Sequence, residues 1–195
     1  VGALLEGKTP RQVWGSERVA PLRVLDPACG SGTFLLQAYQ YLLDWYLEQY
    51  VAENPQTHVN QKRLYRDRAG AWQLTQEERK RILLNHIHGV DIDPQAVEVT
   101  KLSLLLKVLE GDVGAGAQLT FAQERVLPDL GANIRCGNSL IGPDYYQAQQ
   151  LALDFVDEET LYRINAFDWE EGFPRAMAAG GFDVVIGNPP YIRIQ

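Results

Sequence analysis

Cysteine, methionine and histidine are scarce in this sequence, at two, one and three residues of 195. Two thiols, Cys29 and Cys136, cannot make a disulfide framework, and nothing else points to an oxidising compartment. His58, His86 and His88 have no cysteine or carboxylate at ligand spacing, so no metal site is expected. His86 and His88 are read as ordinary side chains that flank and enter a strand. No run approaches the roughly 18 uncharged apolar residues that a membrane span needs. The opening VGALLEGKTPRQVWGSERVAPL lacks the basic head, apolar stretch and cleavage site of a secretory signal. It also lacks an initiator Met, so the sequence is read as excised from a longer one. The 17 glycines and 10 prolines show no fibrous period. An excess of positive charge is missing as well. A net charge of −7 speaks against a module that grips nucleic acid with its whole surface. These absences leave a soluble cytoplasmic protein as the expectation.

What is present is enough apolar sequence, 46%, for one domain with a real core. Four short apolar runs read as buried strands: LRVLD (22–26), IHGVD (87–91), NIRC (133–136) and FDVVIGN (182–188). Between them, residues 33–53 repeat apolar side chains at helical spacing until Asn54-Pro55 ends the pattern. Residues 75–85 open with Thr75 and carry Glu78 three positions on, a capping-box signature. Residues 94–110 begin with Pro94 in the first turn. Alternation of this kind predicts an α/β fold with a parallel, doubly wound sheet. Residues 56–74 have no clear period and are read as a surface excursion. Residues 142–181 yield no strand, only short helical pieces at ETLYRI and FDWEEGFP. The seven basic residues between Lys62 and Arg81 are read as a solvated helix face, with phosphate contact as the alternative. The four tryptophans show no ordered spacing and are assigned to packing.

Four motifs carry chemistry. In DPACGSGTFL (26–35), Gly30 and Gly32 allow a tight strand-to-helix turn and a close backbone approach to a ligand. The helix beginning beyond them adds unpaired N–H groups. A dinucleotide site would want a third glycine where Leu35 stands. Asp26 suits a cationic ligand better than a pyrophosphate. The alternative is a turn that serves only the chain reversal. In GVDIDP (89–94), Asp91 is positioned to accept both hydroxyls of a ribose, and Asp93 to cap the following helix. Both carboxylates acting merely as caps is the other possibility. In CGNSL (136–140), Asn138 could meet an adenine edge or could simply turn the chain. In GNPPY (187–191), two prolines force the chain rigidly out of the sheet. That turn would hold the Asn188 amide and the Pro189 carbonyl as two fixed acceptors beside the Tyr191 ring. Two acceptors facing one NH2 group draw its hydrogens from the ring plane and free the lone pair for alkylation. A polyproline exit loop with an incidental Asn is the bland alternative.

DPACGSGTFL, GVDIDPQAVEVTKLSLLL, LPDLGANIRCGNSLIG and FDVVIGNPPYIR together resemble the S-adenosylmethionine-dependent DNA adenine-N6 methyltransferases. The resemblance is to the methylase part of single-chain type IIG restriction–modification enzymes. It spans about residues 4–193 and includes LTQEERKRILLNHIHGVDID and INAFDWEEGFP. It implies a Rossmann-like class I methyltransferase fold, present only as its cofactor-binding half over residues 22–195, after an N-terminal lead-in at 1–21. It further implies that Asp26, Pro27, Ala28, Cys29, Gly30 and Gly32 surround the methionine end of S-adenosylmethionine. Asp91 would bind the ribose, Ile92 would pack on the adenine ring, and Asn138 would meet its amino group, where many relatives carry Asp. Asn188, Pro189, Pro190 and Tyr191 would hold a base flipped from double-stranded DNA. No metal is implied. An upstream Tyr-Thr-Pro segment, later strands and a target-recognition domain, all usual in the family, are not in this sequence, and neither is a nuclease motif. A methyltransferase for a protein glutamine or an RNA base amine, or a non-catalytic binding module, are the alternatives.

Overall fold

A computed structural model describes residues 1–16, 20–110, 127–145 and 163–188. Its centre is a four-stranded parallel sheet formed by β1 (Val24–Asp26), β4 (Ile87–Asp91), β5 (Ile134–Cys136) and β6 (Val184–Val185). The spatial order is β5-β4-β1-β6, with Val24 opposite both Ile87 and Val184 and Gly89 opposite Ile134. The chain thus moves outward from β1 to β5 and returns on the other side of β1. All four expected strands are present: the second has the expected bounds of 87–91, and the other three are shorter. Leu22 leaves the first early because its N–H bonds the Val13 carbonyl at 3.0 Å. The last has two ladder residues, prolonged by Ile186 N–H to Leu25 O at 2.8 Å.

Successive strand residues point to opposite faces, and the core divides accordingly. Val24 and Ile87 face a large cluster with α3 (Thr33–Glu53), α5 (Gln76–His86) and α6 (Pro94–Leu109). Leu25 and Val90 face the other way, onto Phe167, which precedes α7 (Trp169–Gly172), Phe173, which separates it from α8 (Pro174–Met177), and Ala176 in α8. The sheet is therefore covered on both sides, as the α/β expectation requires. Two short helices, α1 (Gly2–Leu5) and α2 (Pro10–Trp14), place Leu5 and Val13 in the large cluster. No described helix is long and apolar enough to cross a membrane.

Three expectations change. Residues 56–74, read as a surface excursion without a clear period, have regular structure: they form most of α4 (Pro55–Asn60) and an antiparallel hairpin of β2 (Leu64–Arg66) and β3 (Trp72–Leu74). Three-residue strands give too short a pattern to show periodicity, but Leu64 and Leu74 are buried, and that holds the hairpin to the core. The basic residues here are also not a plain solvated face. The guanidinium of Arg66 lies 4.2 Å from the Trp72 ring centre, that of Arg81 3.9 Å from Trp14, and that of Arg63 5.5 Å from Tyr50. Arginine planes cover aromatic rings here. Further, only half of the expected capping box forms. Thr75 Oγ1 accepts the Glu78 N–H at 3.2 Å, but the Glu78 carboxylate turns inward. There it takes the Tyr50 hydroxyl at 2.6 Å and Arg81 at 2.9 Å, while Thr75 N–H goes to Arg63 O.

Candidate cofactor and substrate site

Because the four strands are parallel, their carboxyl ends share one edge, and all four motifs reach it, the last described only as far as Asn188. Asp26 ends β1, Asp91 ends β4, Cys136 ends β5 just before Asn138, and Asn188 follows β6. The strand order reverses between β1 and β6, and open α/β sheets bind ligands in the crevice at such a point.

The loop from Asp26 to Gly32 is tied down from several sides. Cys29 N–H bonds Val90 O at 2.9 Å, and Gly32 N–H bonds Cys29 O at 2.8 Å. Gly30 N–H bonds Asp91 Oδ2 at 2.7 Å, and the Thr100 hydroxyl donates to Gly30 O at 2.7 Å. Gly30 and Gly32 have φ of 52° and 80°, the left-handed region that favours glycine. At Gly32 there is also no room, since a Cβ would meet Thr100 Cγ2 at 2.8 Å. The loop therefore presents backbone, as the sequence predicts. Pro27 and Ala28 are half-buried on its rim. Cys29 joins it through its main chain only. Its side chain is buried beneath the loop against Gly89, and burial, helped by the charges of Asp91 and Asp26, pushes the thiol up to about 12.

Asp26 is fully buried. Its Oδ1 accepts the Ala28 N–H at 3.1 Å, whereas Oδ2 has no partner among the described residues. Burial raises its pKa, the Ala28 bond works against that, and the charge of Asp91 adds to the rise. A buried acceptor without a donor is costly, so this carboxylate is a place for a cationic donor group. Asp91 is half-buried, with one oxygen on Gly30 N–H and the other accepting the Asp93 N–H at 3.0 Å. Each oxygen keeps a lone pair. Asp93 caps α6 by accepting the Gln95 N–H at 2.9 Å, as expected from Pro94 at the next position. Ile92 is 48% exposed between the two carboxylates.

Asn138 lies in the turn after β5. Its Oδ1 accepts the Leu140 N–H at 3.1 Å, so part of its acceptor capacity serves the turn. Asn188 is exposed, next to Gly187, whose own position is set by Asp26. Pro189, Pro190 and Tyr191 lie outside the described residues. The structure thus brings Asp26, the glycine loop, Asp91, Ile92, Asn138 and Asn188 to one edge.

Neither Thr100 nor Asn165 was singled out by sequence reasoning, and Gly89 only as the first residue of GVDIDP. Thr100 stands among Val97, Leu104 and Val108 on the buried face of α6, and a polar residue in that apolar stripe was the available signal. Gly89 lies inside a strand, where a Cβ would meet Leu35 Cδ1 at 2.8 Å and Cys29 Sγ at 3.2 Å.

Residues 85–195, more than half of the chain, match the family model described as Eco57I restriction-modification methylase. The chain is 32% identical over 170 residues to the type II restriction enzyme and methyltransferase RM.Eco57I of Escherichia coli, a match covering 87% of this chain and 14% of that protein. It is 29% identical over 178 residues to the adenine-specific methyltransferase PglX of Streptomyces coelicolor, covering 89% of this chain and 12% of that one. Among solved structures it is similar to a nuclease-deletion mutant of the type ISP restriction-modification enzyme LlaGI in complex with a DNA substrate mimic. That match has a TM-score of 0.44 and 15% identity, over 89% of this chain and 10% of the other. The chain therefore spans about a seventh or less of the curated relatives named here. With the family model matched across three of the four sheet strands, β4, β5 and β6, and through the GNPPY motif, the chain belongs to the Eco57I restriction-modification methylase family.

Proposed function

We propose that the chain supplies the cofactor-binding region of a DNA adenine-N6 methyltransferase within a restriction–modification protein, with S-adenosylmethionine as methyl donor. The observation that carries this is the placement of Asp26 and Asp91 at neighbouring strand ends, joined through the Gly30 loop. The donor set fits such a sulfonium nucleoside. The unpartnered Asp26 Oδ2 suits its ammonium group, the free lone pairs of Asp91 suit two ribose hydroxyls, and Ile92 offers an apolar surface for a purine.

Bound there, the cofactor would supply an electrophilic methyl group. The chain's own residues hold and orient. Asp91 fixes the loop and the sugar together, because the carboxylate that would take the hydroxyls already holds Gly30 N–H. Gly30 and Gly32 keep side chains out of the space over β1. Asn188 and Pro189 would accept the two hydrogens of the target amine, so that its lone pair faces the methyl group, and Tyr191 would stack on the base. The methyl group would come from the cofactor's sulfonium, and the amine held by Asn188 and Pro189 would give up one proton to solvent. The base must leave the duplex for this, since its amine is not accessible while stacked.

Calorimetric titration with S-adenosylmethionine tests the assignment, on this chain and on the full-length protein that carries it. Saturable binding at micromolar cofactor, weakened at least tenfold by Asp91→Ala, is expected, followed by adenine methylation of DNA by the full-length protein. Absence of binding by both chains at millimolar cofactor overturns it.

A further inference from the structure

The turn that carries Asn138 is held by a segment distant in sequence. From the sheet side, Gly137 N–H donates to Asp91 O at 2.9 Å. From the opposite side, Asn138 N–H donates to Asn165 O at 2.6 Å, and Phe167 N–H donates to Ile141 O at 2.8 Å. Asn138 and Ala166 form an isolated parallel bridge, which lays Ala166 beside the turn after β5. The Phe167 ring closes the gap beneath, where a Cβ on Gly137 would meet its Cδ2 at 2.6 Å.

Asn165 is the pivot of this clamp. Its φ is 44°, one of only two positive values at non-glycine positions among the described residues. Asn tolerates that conformation better than most residues. The conformation aims its carbonyl at the Asn138 N–H. Its side-chain amide meanwhile lies 3.5 Å from Cys136 Sγ, which is itself 3.6 Å from Ile92 O. The ends of β4 and β5 and the 165–167 segment are thus joined through one residue. Within the turn, Leu140 N–H on Asn138 Oδ1 fixes which way the carboxamide faces. With Oδ1 held by the Leu140 N–H, its remaining lone pair can accept from a 6-amino group, and bringing Nδ2 to that position for a 6-oxo group would break the Leu140 bond.

We propose that Asn165 is a positioning residue for the purine end of the cofactor pocket: by holding the Asn138 main chain it fixes the carboxamide that selects a 6-amino purine. This rests on the proposed cofactor assignment, which brings the nucleoside to Asn138. Asn165 touches neither the cofactor nor the target base. It acts through Asn138.

The test compares S-adenosylhomocysteine with its 6-oxo analogue, S-inosylhomocysteine, by calorimetric titration of the full-length protein. The unsubstituted protein is expected to prefer the 6-amino ligand by about tenfold or more, the worth of one net hydrogen bond. Asn165→Ala should lose most of that preference by weakening the 6-amino ligand alone, with the 6-oxo ligand unchanged. Asn165→Gly keeps the carbonyl and adopts the positive φ freely, so it should retain the preference. Equal weakening of both ligands by Asn165→Ala marks a general structural loss and overturns the proposal, as does an unchanged preference. Binding of both ligands without preference by the unsubstituted protein overturns the role of Asn138 but leaves the cofactor assignment standing. Binding of neither ligand overturns the cofactor assignment and the positioning role with it.

Discussion

Gly187 lies against the buried carboxylate of Asp26, so closely that a Cβ there would stand 2.7 Å from Oδ1. The two residues sit at the ends of β6 and β1, the strands between which the sheet order reverses. The loop entering GNPPY and the loop of DPACGSG therefore share a wall, and a shift of one moves the other. Gly187 also has φ of 155°, so a side chain there is strained as well as crowded. Gly187→Ala should cost on the order of 1–3 kcal/mol. It is expected to lower the melting temperature by several degrees and to cut the proposed methylation by the full-length protein at least tenfold. A variant with unchanged melting temperature and activity would remove the shared wall from the account.

Thr100 holds the glycine loop from α6, with its hydroxyl 2.7 Å from Gly30 O. Thr100→Val keeps the shape and deletes the donor, leaving the Gly30 carbonyl to find another partner at a cost of about 1 kcal/mol. S-adenosylmethionine affinity should fall about three- to tenfold in Thr100→Val and stay within twofold in Thr100→Ser. Calorimetry on both variants decides it. Equal affinities in all three proteins would mean that the loop needs no anchor.

The two thiols differ in accessibility. Cys136 is exposed at the end of β5, opposite Asp91 in the ladder, whereas Cys29 is buried with its thiol pushed up to about 12. A thiol reagent at pH 8 should modify one cysteine in the folded chain and the second only after unfolding. S-adenosylhomocysteine should slow the first reaction if the purine end of the pocket adjoins Cys136. Mass spectrometry of the labelled chain reads both outcomes, and equal rates at the two sites would contradict the burial of Cys29.

His86 and His88 should make the fold acid-sensitive. The Leu22 carbonyl only accepts, at 2.7 Å, so His86 Nδ1 carries a proton; with burial keeping the ring neutral, Nε2 accepts from the Tyr46 hydroxyl at 3.0 Å. Burial, followed by weaker contributions, lowers the pKa of His86 to about 4. Burial and then the charge of Arg23 do the same for His88. Between about pH 6.5 and 4 the unfolded chain binds protons that the folded chain refuses. Their contribution is complete above pH 6.5 and is lost as pH falls toward 4, on the order of 3 kcal/mol per histidine at most. His88 meets Phe173 and Phe182 edge-on at ring separations of 5.7 and 5.4 Å. His88→Phe should therefore pack acceptably and flatten the fall. Urea midpoints measured from pH 7.5 to 4.5 test this, and an equally steep fall in both proteins would contradict it.

Much of the fold was legible because the decisive signals are local. Pro94 at the first turn of α6 and Asp93 before it fix that helix start within a few residues. Gly30 and Gly32 announce a turn that only glycine makes easily. The long apolar repeat of α3 runs without interruption from Thr33 to Glu53. Where local signals competed with tertiary contacts, expectation failed. Glu78 has the spacing to complete a capping box, yet Tyr50 and Arg81 claim its carboxylate. Arg66 and Arg81 look like solvent-facing charges until Trp72 and Trp14 fold under them.

The sequence by itself determined which short segments become strands, which glycines turn, which carboxylates end strands, and the family to which those motifs point. Each of these depends on residues within a few positions of one another, where backbone sterics and side-chain period act directly. The tertiary structure decided that Asp91 holds Gly30, that Asp26 packs against Gly187, that Thr100 anchors the glycine loop, and that Asn165 clamps Asn138. Those pairs are brought together only by the strand order and the packing of α6 on the sheet. Closing such long loops is driven by burial of the whole core, so no spacing between two residues in the chain records it.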